Sequence, residues 1–173
     1  MVSSLLLLLT INSLEIGTQF GPIFPTGSLA NTYQVSTTAG LFTSMNNFDL
    51  GYSYSKFASK LNTSENLFLH TIMLSYQYPF YKINNSQFLA ILGANYNRII
   101  HSLDIANEQN SVFSLRYGLG FKQNFAISKS LRPALLAQLN LNHILQMRSW
   151  NYSELLYSNL FISVTAGISF SFL

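Results

Sequence analysis

Hydrophobic side chains recur at every second position over most of this chain, the period of a strand and not of a helix. Across residues 111–125, Phe113, Leu115, Tyr117, Leu119 and Phe121 share one face, while Ser114, Arg116, Gly118, Gly120 and Lys122 share the other. The last segment repeats this, with Leu160, Ile162, Val164, Ala166, Ile168, Phe170 and Phe172 opposite Ser163, Thr165, Gly167, Ser169 and Ser171. In residues 131–143 Leu131, Pro133, Leu135, Ala137, Leu139 and Leu141 oppose Arg132, Ala134, Gln138, Asn140 and Asn142, with Leu136 as an apolar exception on the polar face. Pro133 fits only near a strand start or a bulge.

Five further segments alternate in the same way. They carry Leu14, Ile16, Thr18 and Phe20; Tyr33, Val35, Thr37, Ala39 and Leu41; Phe48, Leu50, Tyr52 and Tyr54; Ile72, Leu74, Tyr76 and Tyr78; and Phe88, Ala90, Leu92, Ala94 and Tyr96 on their apolar faces. Eight strands are therefore predicted. The segments between them alternate in length: long ones at about 21–32, 56–66, 98–110 and 144–159, and short ones at about 43–47, 79–87 and 126–130, rich in Asn, Ser or Pro. With an even strand number, both chain ends fall on the side of the short turns.

Composition decides what surrounds these strands. The 173 residues are 49% hydrophobic, 14% aromatic and only 9% charged, against about 25% charged in an ordinary soluble domain. High apolar content excludes disorder. No apolar run approaches the roughly 18 residues of a membrane-spanning helix. The absence of cysteine excludes a disulfide framework and a thiolate metal site. Apolar, aromatic, weakly charged and alternating together specify an all-β, closed antiparallel up-and-down transmembrane barrel of one domain, residues 14–173, with lipid outside and small or polar side chains inside.

Charge placement sharpens the same reading, because Lys or Arg facing lipid at the bilayer midplane costs about 2–4 kcal/mol. Glu15, Asp49, Arg116, Lys122 and Arg132 fall on inward faces. The other ten charged residues, Lys56, Lys60, Glu65, Lys82, Arg98, Asp104, Glu108, Lys129, Arg148 and Glu154, fall in connections or at strand ends. An eight-stranded barrel leaves an interior just filled by side chains, and buried charges must be paired, so the inward five are expected to form a lumen ion-pair network. The alternative is that they line a gated, ion-selective pore. Tyr33, Tyr54, Tyr76, Tyr78, Phe80, Tyr81, Tyr96 and Phe125 are expected in the aromatic girdles at headgroup depth.

The C-terminal strand carries Thr165, Gly167, Phe170 and Phe172 in the order polar, any, Gly, any, any, aromatic, any, aromatic. On this pattern the chain resembles the outer-membrane β-barrel family, with Leu173 following the usual terminal aromatic. Gly17, Phe20, Gly21, Pro22, Pro25, Thr26, Gly27 and Tyr33 look like the first hairpin of small porin-family, opacity-like barrels. The resemblance spans about residues 14–173. It implies an eight-stranded barrel in a Gram-negative-type outer membrane, bounded by outer-membrane lipids and read through its last strand by the barrel-assembly machinery. Residues 1–13, with an apolar run at 5–9, are read as an atypical or truncated signal segment.

Chemistry is sparse. His101, Ser102 and Asp104, or His143, Ser153 and Glu154, with His70 as a third rim histidine, are the only groupings that bear on a rim lipid hydrolase. They match no hydrolase pattern and lack the close spacing of a metal site. Neither phosphate loop nor dinucleotide fingerprint occurs, and the scattered basic residues do not form a nucleic-acid surface. No cofactor, metal or enzymatic activity is therefore expected. Trp150, Tyr152 and Tyr157 make the fourth long connection apolar and aromatic, either a surface contact for a ligand or partner or a loop that folds back onto the barrel rim. The expected role is structural or surface-interacting; a narrow channel for small hydrophilic solutes and a rim lipid hydrolase are the rivals.

Overall fold

A computed structural model describes residues 14–102, 107–126, 131–145 and 160–172. The strands are β1 (Leu14–Pro25), β2 (Ser36–Met45), β3 (Phe48–Ala58), β4 (Asn66–Ile83), β5 (Ser86–Ser102), β6 (Asn107–Asn124), β7 (Leu131–Ile144) and β8 (Leu160–Phe172), with one short helix, α1 (Gly27–Thr32), between the first two. Each strand pairs antiparallel with the next, and β8 returns to β1 to close the barrel. Closure leaves no sheet edge for lipid to meet, which is why a barrel can span where an open sheet cannot.

The closing seam depends on close backbone approach. A Cβ on Gly167 would lie 2.1 Å from the Thr18 carbonyl oxygen, and one on Gly21 2.0 Å from that of Val164, so a side chain at either position would force β1 and β8 apart. Two lower turns use asparagine for its tolerance of positive φ: Asn46 and Asn47 stand at 51° and 71°, and Asn84 at 51°. Positive φ at both Asn46 and Asn47 gives the β2–β3 turn the type I′ form that matches strand twist.

The two faces fall as the alternation predicts. Leu41, Phe113 and Leu119 are each about 60% exposed on the outer wall, while Ser55, Ser75, Asn95, Ser114 and Asn140 are buried inside. An outer wall of this kind is stable only against hydrocarbon, so the fold is a transmembrane barrel. Pro133 is the third residue of β7, and Leu136 faces inward and is buried.

Three expectations are corrected. The connection predicted at 79–87 shrinks to 84–85, and of that predicted at 98–110 residues 98–102 and 107–110 belong to strands, because the ladder continues through pairs such as Lys82–Gln87 and His101–Glu108. Backbone pairing does not require side-chain alternation, and a bulge between Pro79 and Tyr81 absorbs the proline. Tyr33, expected on the lipid face of the second strand, is only 1% exposed and lies in the mouth of the barrel. There β2 begins later, at Ser36, because α1 carries the preceding chain across the opening. Finally, Lys82 and Glu108 stand at strand ends as expected, next to last in β4 and second in β6, whereas Lys56 and Arg98 lie within β3 and β5 and face outward. Asp104, Lys129, Arg148 and Glu154 lie outside the described residues.

Candidate functional site

Among the described residues, the lumen is where all eight strands bring polar side chains together, and it is layered. At the lower end, where the chain termini lie, the Lys122 ammonium pairs with the Glu15 carboxylate, and the Ser171 hydroxyl donates to the same carboxylate at 3.4 Å. Above them Asp49 accepts from the Gln77 amide. The Arg116 guanidinium donates to Asn140 Oδ1 at 3.2 Å and to Gln138 Oε1 at 2.9 Å, with the Met73 sulfur against its third nitrogen. Asp49 and Arg116 flank a cavity of about 10 Å³, room for about one water molecule. Of the five predicted inward charges, four therefore enter the lower lumen, one direct pair among them. Arg132 is exposed at the lower mouth and, among the described residues, joins neither set.

The middle layer is made of hydroxyls and amides. Thr71 donates to Asn97 Oδ1 at 2.9 Å, Asn97 donates to Ser114 Oγ at 2.9 Å, and Asn95 donates to Asn142 Oδ1 at 2.9 Å. The space left among these side chains is about 30 Å³, enough for a few water molecules.

The upper layer was not anticipated. Ile23, Leu29, Tyr33, Phe57, Leu67, Leu69, Ile99, Val112, Ile144 and Phe161 form one buried apolar cluster across the mouth. Phe57 and Phe161 meet with ring centroids 5.6 Å apart. Helix α1 caps the cluster with Leu29, and the Thr26 hydroxyl ties its start to the Leu160 carbonyl at 2.7 Å. The Lys60 ammonium holds the Ala30 carbonyl. Tyr33 follows the helix, and its hydroxyl meets His101 Nε2 at 2.8 Å with the rings edge to face. Burial pushes the Tyr33 phenol far above its usual pKa, with Glu65 adding to the effect, so the phenol stays protonated, and the His101 tautomer sets which group donates. A sequence signal for this layer existed: Leu67, Phe68 and Leu69, like Ile99 and Ile100, are apolar on both faces of their strands.

The rim histidines separate. His101 points into the mouth, whereas His143 and His70 face outward on β7 and β4, with His70 Nδ1 against the Tyr52 hydroxyl at 2.7 Å. Ser102 is the last residue of β5, while Asp104, Ser153 and Glu154 lie outside the described residues. In β8, Thr165 faces inward and is buried, Gly167 lies at the seam, and Phe170 and Phe172 face outward. Residues 1–13, Leu173, Trp150, Tyr152 and Tyr157 are outside the described residues.

No known family pattern matches the chain, and no curated protein sequence matches it. Solved structures do. The chain is similar to Neisserial surface protein A, at 15% identity and a TM-score of 0.64 over 91% of this chain and 97% of that one. It is also similar to the N-terminal β-barrel domain of Pseudomonas aeruginosa OprF, at 14% identity and 0.52 over 93% and 98%. The attachment invasion locus protein Ail of Yersinia pestis gives 14% and 0.50 over 92% and 97%. The fold is thus that of the small eight-stranded outer-membrane barrels.

Proposed function

We propose that this protein is an integral outer-membrane barrel, sealed along its axis, with a structural or surface-interaction role and no solute conduction. The observation that carries this reading is the apolar layer at the mouth. A solute moving from the polar middle layer outward would have to displace Phe57, Phe161 and Leu29 and the Tyr33–His101 contact together. Buried charges at the lower end serve the same reading as a scaffold: Glu15, Asp49, Arg116 and Lys122 hold facing strands in register, with Arg132 at the entrance. Thr165, Gly167, Phe170 and Phe172 are taken as the signal read by the barrel-assembly machinery, and Trp150, Tyr152 and Tyr157 as a contact for a surface ligand. Two of the similar proteins carry surface and attachment roles in their names, which agrees with an adhesion-type task.

Planar-bilayer recording tests the sealed lumen. The wild-type barrel is expected to give no stable single-channel steps, and the Phe57→Ala/Phe161→Ala double variant to give small ones. Stable wild-type steps that vanish on changing Arg116 or Lys122 would replace this reading with the narrow channel.

A further inference from the structure

Two cations face outward where the alternation predicts lipid, and both lie on one wall near the long-connection end. Lys56 follows Tyr52 and Tyr54 on the outer face of β3, and Arg98 follows Tyr96 on that of β5. His70 lies between them on β4, paired in register with Tyr54 on one side and Arg98 on the other. Two strand spacings and two residues of offset separate the Cα atoms of Lys56 and Arg98 by about 12 Å.

Their surroundings place this arc at headgroup depth. The Lys56 ammonium stands 5.6 Å from the centroid of the Phe68 ring, and Tyr96 meets Phe113 edge to face at 5.5 Å. Such aromatic belts mark the membrane–water interface. Arg98 donates to Gln109 Oε1 at 2.7 Å, which fixes its guanidinium over an open groove of about 820 Å³ beside β6. The groove is amphipathic: Tyr96, Phe113 and Leu145 line it with Arg98, Gln109 and Ser111. The acidic side chains among the described residues lie elsewhere. Glu15 and Asp49 are in the lumen, Glu108 is on the inward face of β6, and Glu65 is in the β3–β4 connection. Among the described residues, then, the outward positions of this wall carry positive charge without a carboxylate.

We propose that Lys56, His70 and Arg98 form a binding site for a phosphorylated glycolipid of the outer leaflet, with its phosphates on the two cations and an acyl chain in the groove below Arg98. An anionic headgroup supplies countercharge to the two cations, and the separation of the cations suits a disaccharide phosphorylated at both ends. Arg98 is pre-oriented by Gln109, so the site is built before lipid arrives. The proposal rests on the reading of the chain as an outer-membrane barrel, but not on the sealed lumen or the surface-interaction role.

The full-length barrel, folded into phosphatidylcholine nanodiscs, can be offered bisphosphorylated or dephosphorylated lipid A, and the retained lipid measured by native mass spectrometry. Wild type is expected to retain the bisphosphorylated form at least tenfold over the dephosphorylated one. The K56Q/R98Q variant should lose that preference and K82Q, which changes a cation at the opposite end of β4, should keep it. Equal retention of the two lipids by wild type would overturn the proposal without any variant having to fold. An unchanged preference in a folded K56Q/R98Q barrel would overturn it as well. Failure of wild type to insert, seen as an absent heat-dependent shift on gels, would instead count against the membrane reading on which the site rests.

Discussion

The lower and upper halves of the lumen are enclosed by the same eight strands yet are filled by opposite means. Below, Lys122 pairs with Glu15, Asp49 accepts from Gln77 through one oxygen while its other oxygen is buried without a partner, and Arg116 donates to Gln138 and Asn140. Above, Phe57, Phe161, Leu29 and their neighbours pack as an apolar core. Paired buried charges give little net stability over an apolar filling but penalise any register that separates them. Apolar packing does the reverse: it stabilises by area and tolerates small shifts. The barrel thus has a lower half suited to fixing which strand positions face each other and an upper half suited to keeping the mouth shut.

The contrast breaks most readily at Arg116, which is 5% exposed. Arg116→Met should destabilise the folded barrel by about 3–5 kcal/mol, because removing one partner leaves a buried carboxylate without its countercharge. Adding Asp49→Asn should recover much of the loss, as the two changes act on one network. Urea-unfolding midpoints in detergent check both variants. Additive losses would show that Asp49 and Arg116 do not act together.

In the upper half the corresponding change is Phe57→Ala. A fully buried phenylalanine cut back to alanine should cost about 3 kcal/mol, and no second substitution of a charged residue would restore it, since no charge is stranded. The loss should come with an increase in small-ion leak across vesicles, which Arg116→Met should not cause. Leak from both variants would mean that the two halves seal the lumen jointly.

Much of this was legible in sequence, and the omissions have a common cause. Period-two alternation identifies a strand and its lipid face wherever the two faces differ, as in β6 and β8. It fails where both faces are apolar. Leu67, Phe68 and Leu69 give no alternation, so the start of β4 and the upper plug were hidden together. It fails again where strands run past the bilayer into polar surroundings, which is why Lys56 and Arg98 were expected in connections and are found on the wall. Tyr33 illustrates a third limit. Its spacing from Val35 and Thr37 fits the lipid face, and only the passage of α1 across the mouth turns it inward. The candidate lumen charges were recognisable because a charge on the wrong face of a barrel strand is costly. No comparable penalty marks which of them pair directly.

The smallest expected effect lies where the upper half borrows a polar contact. Tyr33→Phe removes the hydroxyl that meets His101 Nε2 while leaving the ring in the cluster, and should cost about 1–2 kcal/mol near neutral pH. Its signature is in the pH dependence. The unfolded phenol loses its proton near pH 10, whereas burial and Glu65 hold the folded one neutral well beyond that. Above about pH 10 the folded state therefore binds more protons than the unfolded state, so stability must fall as pH rises. The contribution is fully present below the unfolded value and drains away on approach to the folded one. Tyr33→Phe lacks this group, and its stability curve between about pH 9 and 11 should be flatter than that of wild type. The gap between the two should narrow with rising pH, in contrast to Phe57→Ala, whose deficit should stay constant. Parallel curves for wild type and Tyr33→Phe would mean that the phenol reaches solvent, and that the mouth is less tightly closed than the buried Tyr33–His101 contact requires.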